Sequence, residues 1–364
     1  MRRARIEGLA ALAASLLVGC ETGPARVEGA IDPRIYRTCA DPEAQAAWQR
    51  ARAAIAAKDD ARAIPDLRIC VQRCPLFVPA HVAWQDAARR LGGDAQREMQ
   101  AHYLGAPDDL GVVPSYLRAR LSDTSYAQCN ALEAILKRDP SFAWAHLSWA
   151  RVTRKQGRLL QAVDMFAQAV LYDPEMHEAR LERAQVLAEL GRDEEAAVDY
   201  RSYLRAVPDD RAASHACATL LLYRLERTDE AEELLKRLLV AEPGSIALRM
   251  DRAAAMWLSG RTREAVDTYL AVLAEQPSCA RAALNLGMLY YEVLPRDPAS
   301  RATFWPKARA AFRLFLRTTR PADGHEQFER TLAVPYRLQV IDEALGADDG
   351  AAPGLDDLRW PAGA

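Results

Sequence analysis

IALRMDRAAAMWLSGRTREAVDTYLAVLAEQP, residues 246–277, contains the plan on which the chain is built. A helical stretch through Ala253 and Met256 stops at Gly260. A second runs through Ala265 and Tyr269, and a polar residue stands before Pro277. Glycine supplies the turn and proline ends the second helix, because its ring removes a backbone donor. Residues 143–174 repeat the plan with Trp149, Ala150, Gly157, Ala162, Phe166, Ala169 and Asp173-Pro174. Residues 177–208 repeat it with Ala184, Leu187, Gly191, Ala196, Tyr200 and Pro208. After Pro277 the next unit opens with Leu286-Gly287-Met288-Leu289-Tyr290. Pro42, Pro75, Pro107, Pro140, Pro174, Pro208, Pro243 and Pro277 follow one another at intervals of 33, 32, 33, 34, 34, 35 and 34 residues. Such a period decides the architecture before any residue-level reading.

The small residues, the glycine, the aromatic and the closing proline at this spacing resemble the tetratricopeptide repeat. That resemblance implies an all-α superhelical solenoid of antiparallel helix pairs with a C-terminal capping helix. It is strong over 141–292 and weaker before. About eight units are expected, with Ala162, Ala196 and Ala265 where the two helices of a unit touch. Divergent repeats are assigned to 42–140, where Pro79 is read as lying inside a first helix. Clear repeats are assigned to 141–321, interrupted at 293–306 by an exposed loop that Pro295, Pro298 and Pro306 force. Residues 322–345 read as the cap, with Phe328, Leu332, Tyr336, Val340 and Leu345 covering the last unit. Residues 346–364, rich in Gly, Ala, Pro and Asp, read as a disordered tail.

The first twenty residues are a separate message. Arg2, Arg3 and Arg5 precede an apolar run too short to cross a membrane as a helix. The run closes as Leu17-Val18-Gly19-Cys20, which resembles the lipobox of bacterial lipoproteins. The resemblance implies a signal peptide over 1–19, a lipid on Cys20 and a flexible tether over 20–41. Glu21 leans toward the periplasmic face of the outer membrane rather than the inner membrane. Removing residues 1–19 takes away three Arg and one Glu, leaving 45 basic against 49 acidic side chains. That balance excludes a typical nucleic-acid binder. Six cysteines follow Cys20. An even number in an exported chain permits disulfides. Cys39 precedes the first helix, and Cys70 and Cys74 lie near the end of the second. Antiparallel pairing brings those ends together, so Cys39 is expected to bond to one of them, Cys74 ahead of Cys70.

Catalytic chemistry leaves no trace. There is no phosphate loop, nucleophile elbow, cofactor motif or metal spacing. His177-Glu178 begins like a zinc helix, but Leu181 stands where the second His belongs. No enzyme activity, cofactor or small-molecule substrate is expected, which leaves a binding surface as the source of function. In the family the first helices line a concave groove. One column there reads Arg154, Ala188, Tyr223, Trp257 and Tyr291, and the three aromatics stand 34 residues apart. Leu220, Met250, Leu258, Leu284 and Met288 adjoin it, and Arg151 and Arg154 make its middle basic. An apolar helix or extended peptide is the natural ligand, with Trp257 the central anchor. The expected protein is a membrane-anchored scaffold for envelope proteins, of the kind that assembles pilus, secretion or motility complexes. The alternative is an accessory of cell-wall modification that binds glycan or wall enzymes.

Overall fold

The computed structural model describes residues 32–105, 110–295, 297–318, 332–346 and 354–360. The lipobox, its Cys20 and the Phe328 part of the cap lie outside the described residues. Regular structure among the described residues is helical throughout, and it divides into two compact units, Met1–Leu190 and Gly191–Ala364.

The first unit contains α1 (Pro42–Ala56), α2 (Asp60–Arg73), α3 (Val78–Leu91), α4 (Gly93–Leu104), α5 (Val113–Ala119), α6 (Ser125–Arg138), α7 (Ala143–Lys155), α8 (Leu159–Tyr172) and α9 (His177–Glu189). Each helix packs on the next, from α1 on α2 through to α8 on α9. The second unit contains α10 (Asp193–Ala206), α11 (Arg211–Tyr223), α12 (Thr228–Ala241), α13 (Ile246–Leu258), α14 (Thr262–Glu275), α15 (Ala280–Met288), α16 (Pro298–Thr318), α17 (Val334–Leu345) and α18 (Leu355–Leu358). Here too neighbours in sequence are neighbours in space, while α18 packs on α14 and α16.

Local chemistry explains the boundaries. The carboxylates of Asp41, Asp59 and Asp210 and the hydroxyls of Thr124 and Ser245 each accept a backbone N–H in the first turn of α1, α2, α11, α6 and α13. Such a cap stabilises a helix by ~1 kcal/mol. The turn from α7 to α8 passes through Gly157 and that from α13 to α14 through Gly260, both at positive φ. The equivalent turns before α2 and α12 use Lys58 and Glu226, also at positive φ, so packing overrides the usual glycine preference there. Ala162, Ala196 and Ala265 are fully buried.

Five expectations require correction. Residues 293–306 are not one exposed loop. A π turn, Leu289–Val293, extends α15, and α16 begins at Pro298 and continues through Pro306. Pro298 opens the helix, where its missing donor costs little. The bond lost at Pro306 is outweighed by burial of Phe304, Trp305, Ala308 and Phe312 on one face. Pro79 likewise stands at the start of α3 rather than inside it.

The end of the tether is folded. Pro33–Tyr36 form a short 3₁₀ turn, and Tyr36 is buried edge-on to Phe142 at 5.0 Å between ring centroids. Arg37 pairs with Asp173 at 2.6 Å and Glu175 at 2.7 Å. Cys39 and Cys74 form a disulfide, while Cys70 is a buried free thiol whose Sγ donates to the Ala44 carbonyl. This strap runs back from α1 to the turns before α7 and α9.

The tail is partly folded as well. Leu358 is fully buried and its carbonyl accepts the Tyr290 hydroxyl at 2.6 Å, while Trp360 lies edge-on to Phe304. In the cap, Val334 and Ile341 are the buried residues of α17. Val340 packs against the core as expected, whereas Leu332, Tyr336 and Leu345 are exposed, so only part of the expected stripe covers α16.

His81 makes the first unit sensitive to acid. Its Nε2 donates to the Pro75 carbonyl at 3.0 Å, and its Nδ1 accepts the Tyr103 hydroxyl at 2.9 Å. Burial lowers the imidazole from its ordinary 6.5 to about 4. Above about pH 6.5 both folded and unfolded chains hold it neutral, and its contribution is complete. Below that the unfolded chain takes a proton that the folded one refuses. Stability therefore falls by about 3 kcal/mol as pH drops from about 6.5 to about 4. Urea unfolding at about pH 7 and about pH 5 should show the loss, and His81→Gln should flatten it. An equally steep profile in His81→Gln would exclude His81 as its cause.

Candidate protein-binding face

The first helices of the second unit, α11, α13 and α15, bring together a cluster that periodicity did not reveal. Asp251 is buried, with only 3% of its surface exposed. Its Oδ1 accepts the Tyr223 hydroxyl at 2.7 Å and Nη2 of Arg281 at 3.0 Å. Its Oδ2 lies 2.7 Å from Nε2 of His215. Arg281 also donates to the Tyr223 hydroxyl at 2.6 Å, and its guanidinium sits 5.7 Å from the centre of the Tyr223 ring. Nearby, Nδ2 of Asn285 donates to the Tyr269 hydroxyl at 3.1 Å. A buried carboxylate left alone would be costly; three donors from two neighbouring repeats satisfy this one. The cluster thus staples three successive repeats.

Tyr223 carries this arrangement to the surface. Its hydroxyl is engaged with Asp251, yet the residue is 45% exposed. Burial of that hydroxyl end, then the bond to Asp251, raises its pKa well above the ordinary phenol value. The result is an exposed ring held in one orientation at the surface. Exposed Leu258 lies on the adjoining helix α13.

The other members of the aromatic column behave differently. Trp257 is half-buried against the core of the second unit. Tyr291 is half-buried too, stacked on Trp305 at 5.5 Å between ring centroids. Equal spacing along the chain therefore gives unequal exposure, because α16 covers the last position with Trp305. Leu220, Met250 and Leu284 are buried and belong to the core rather than to a groove wall; Met288 is half-buried. In the first unit the expected basic stretch is neutralised. Arg151 donates to Glu182 at 2.8 Å and Glu178 at 2.9 Å. Arg154 pairs with Gln185 and Glu189. Burial alone would lower the Arg151 guanidinium, but the bond to Glu182 and the charges of Glu178 and Glu182 raise it.

One signal for the missed cluster was present in the sequence. Asp251 stands one repeat from Cys217 and one from Asn285. A charge in a column of small or neutral residues marks a place where other elements must supply its partners.

Among the described residues no group of three or more His, Cys, Asp or Glu could hold a metal ion, and no helix is long and apolar enough to cross a membrane. Family models named tetratricopeptide repeat match residues 147–211 and 222–289. No curated protein matches the chain. Among solved structures, YrrB, described as a tetratricopeptide repeat protein with an unusual peptide-binding site, is 20% identical, with TM-score 0.40, over 50% of this chain and 93% of its own. The C-terminal part of a tetratricopeptide repeat protein from Cytophaga hutchinsonii is 14% identical, with TM-score 0.44, over 67% of this chain and 93% of its own. MamA is 17% identical, with TM-score 0.38, over 46% of this chain and 96% of its own. Residues 147–211 and 222–289 thus carry tetratricopeptide repeats, and the helices around them pair in sequence order within each unit.

Proposed function

We propose that this protein is a non-enzymatic, lipid-anchored adaptor of the bacterial cell envelope. It holds a protein partner against the first-helix face of its second unit and so helps assemble an envelope machine such as a pilus, secretion or motility complex. The observation that carries the binding site is Tyr223, an exposed ring whose hydroxyl is held by a buried carboxylate. Rigid aromatics of this kind dominate interface energetics, since little entropy remains to be lost. The Cys39–Cys74 bridge supports an oxidising compartment, as the periplasm is. The lipobox supports the anchor, and Glu21 the periplasmic face of the outer membrane. With the strap folded from Asp32 onward, the span from Cys20 is twelve residues, with a reach of at most ~40 Å. The first unit must then lie close to the membrane.

Two variants test this reading. Cys20→Ser should leave the detergent phase; unchanged retention there would overturn the anchor. Tyr223→Ala should reduce capture of envelope partners by about tenfold or more, whereas Tyr223→Phe, which loses the same bond to Asp251 but keeps the ring, should lose some stability and keep its capture. Leu160→Ala, exposed in the first unit, should leave capture unchanged. Undiminished capture by Tyr223→Ala would overturn the site. Because Trp257 packs against the core, Trp257→Ala should lower the melting temperature, and any loss of binding should follow from that.

A further inference from the structure

A cleft of about 1000 Å³ opens between α10 and α12 at the start of α11. It lies among second helices and uses none of the residues proposed above. Arg201, Arg205, Arg211 and Arg237 line it, together with Leu204 and Leu234. Asp209 is the acidic residue among the described lining residues, and four arginines stand with it. The whole chain has a net charge of −2, which makes this concentration local and contrary to the average.

The four guanidiniums are not equally engaged. Arg201 is paired with Glu230 at 3.1 Å and Arg211 with Glu242 at 2.8 Å. Arg237 has only a distant contact with Glu233, at 3.9 Å. Arg205 is exposed and has no acidic partner among the described residues. Arg201 and Arg205 stand four apart on one face of α10, while Arg237 comes from the neighbouring helix. The arginines thus come from three helices, α10, α11 and α12, and share the lining with Leu204 and Leu234. A ligand with carboxylates along an apolar body suits such a lining, because each guanidinium fork takes a carboxylate in two parallel hydrogen bonds and the leucines take the apolar part.

We propose that this cleft docks a short acidic and aliphatic peptide segment of a partner protein. Carboxylates of the segment meet Arg205 and Arg237, and its aliphatic side chains rest on Leu204 and Leu234. The site is independent of the Tyr223 face, so the protein would bridge two partners.

The test is an array of short synthetic peptides in which acidic and aliphatic content vary independently, probed with the full chain. Peptides rich in both should be retained. Acidic peptides without aliphatic residues, and aliphatic peptides without acids, should be retained much less. The double variant Arg205→Glu/Arg237→Glu should lose about tenfold or more in retention, since both charge-assisted contacts turn repulsive. Arg205→Gln/Arg237→Gln should show the same trend if charge reversal disturbs folding, and Tyr223→Ala should retain the peptides like wild type. Equal retention of acidic and neutral aliphatic peptides would overturn the proposal. So would undiminished retention by a natively folded double variant. Binding to anionic phospholipid vesicles that the arginine pair controls, with no peptide selectivity, would assign the cleft to a membrane surface and overturn it too.

Discussion

Gly287→Ala should destabilise the second unit by about 2 kcal/mol or more, a fall in melting temperature of roughly 6 °C for a unit of this size. In an open helix the same change would gain ~1 kcal/mol, because alanine is the better helix former. Here a Cβ on Gly287 would lie 2.4 Å from Cδ1 and Cε1 of Phe312. That ring is fully buried in α16, with the Tyr291 ring edge-on at 6.1 Å. It cannot swing away into solvent, so α15 and α16 must separate and give up packing along their length. Gly287→Ala combined with Phe312→Leu should therefore lose less than the sum of the two single changes. Gly260→Ala is the control: its φ of +84° strains an alanine, but a Cβ there meets nothing within 4 Å. A Gly287→Ala protein that melts like wild type would mean that these helices do not approach so closely.

Removing the Cys39–Cys74 bridge should cost the first unit ~3–4 kcal/mol. The bridge closes a loop with a sequence separation of 35, and its loss frees the unfolded chain to explore far more conformations. The strap then has only its own contacts to hold it. Tyr36 must stay on Phe142, and Arg37 on Asp173 and Glu175. Burial already raises the pKa of Asp173, and the charge of Arg37 offsets that. If the strap leaves, an almost fully buried carboxylate loses its counter-charge. Cys70 is a poor substitute partner, because burial pushes its thiol up to about 11 and the thiolate needed for exchange is scarce. Melting of Cys39→Ser/Cys74→Ser beside wild type, with and without reductant, measures the effect. Limited proteolysis should cut the variant near residues 33–40 first. Unchanged melting and unchanged cleavage would show that the bridge contributes nothing to the fold.

The repeat was legible in the chain because its determinants are local. Proline, glycine and alanine act through backbone angles, missing donors and small volume, and these effects need no distant partner. The helix pairs from α7 to α8 and from α13 to α14 follow from residues 143–174 and 246–277 read alone. The reading weakened wherever a residue's state depends on what another segment places beside it. Lys58 and Glu226 hold turns that glycine holds elsewhere, because the helices on either side dictate the angle. Pro306 stays helical because Phe304, Trp305 and Phe312 have a core to enter. Tyr223, Trp257 and Tyr291 are one column in the sequence and three different environments in space. Tyr291 is covered by Trp305, Trp257 rests on the core, and Tyr223 stands out over Asp251. The sequence by itself determined the helix-pair repeat and its period of about 34 residues, through short-range backbone chemistry. Tertiary structure alone decided which side chains of that repeat face a partner, because exposure and charge pairing belong to contacts between segments far apart in the chain.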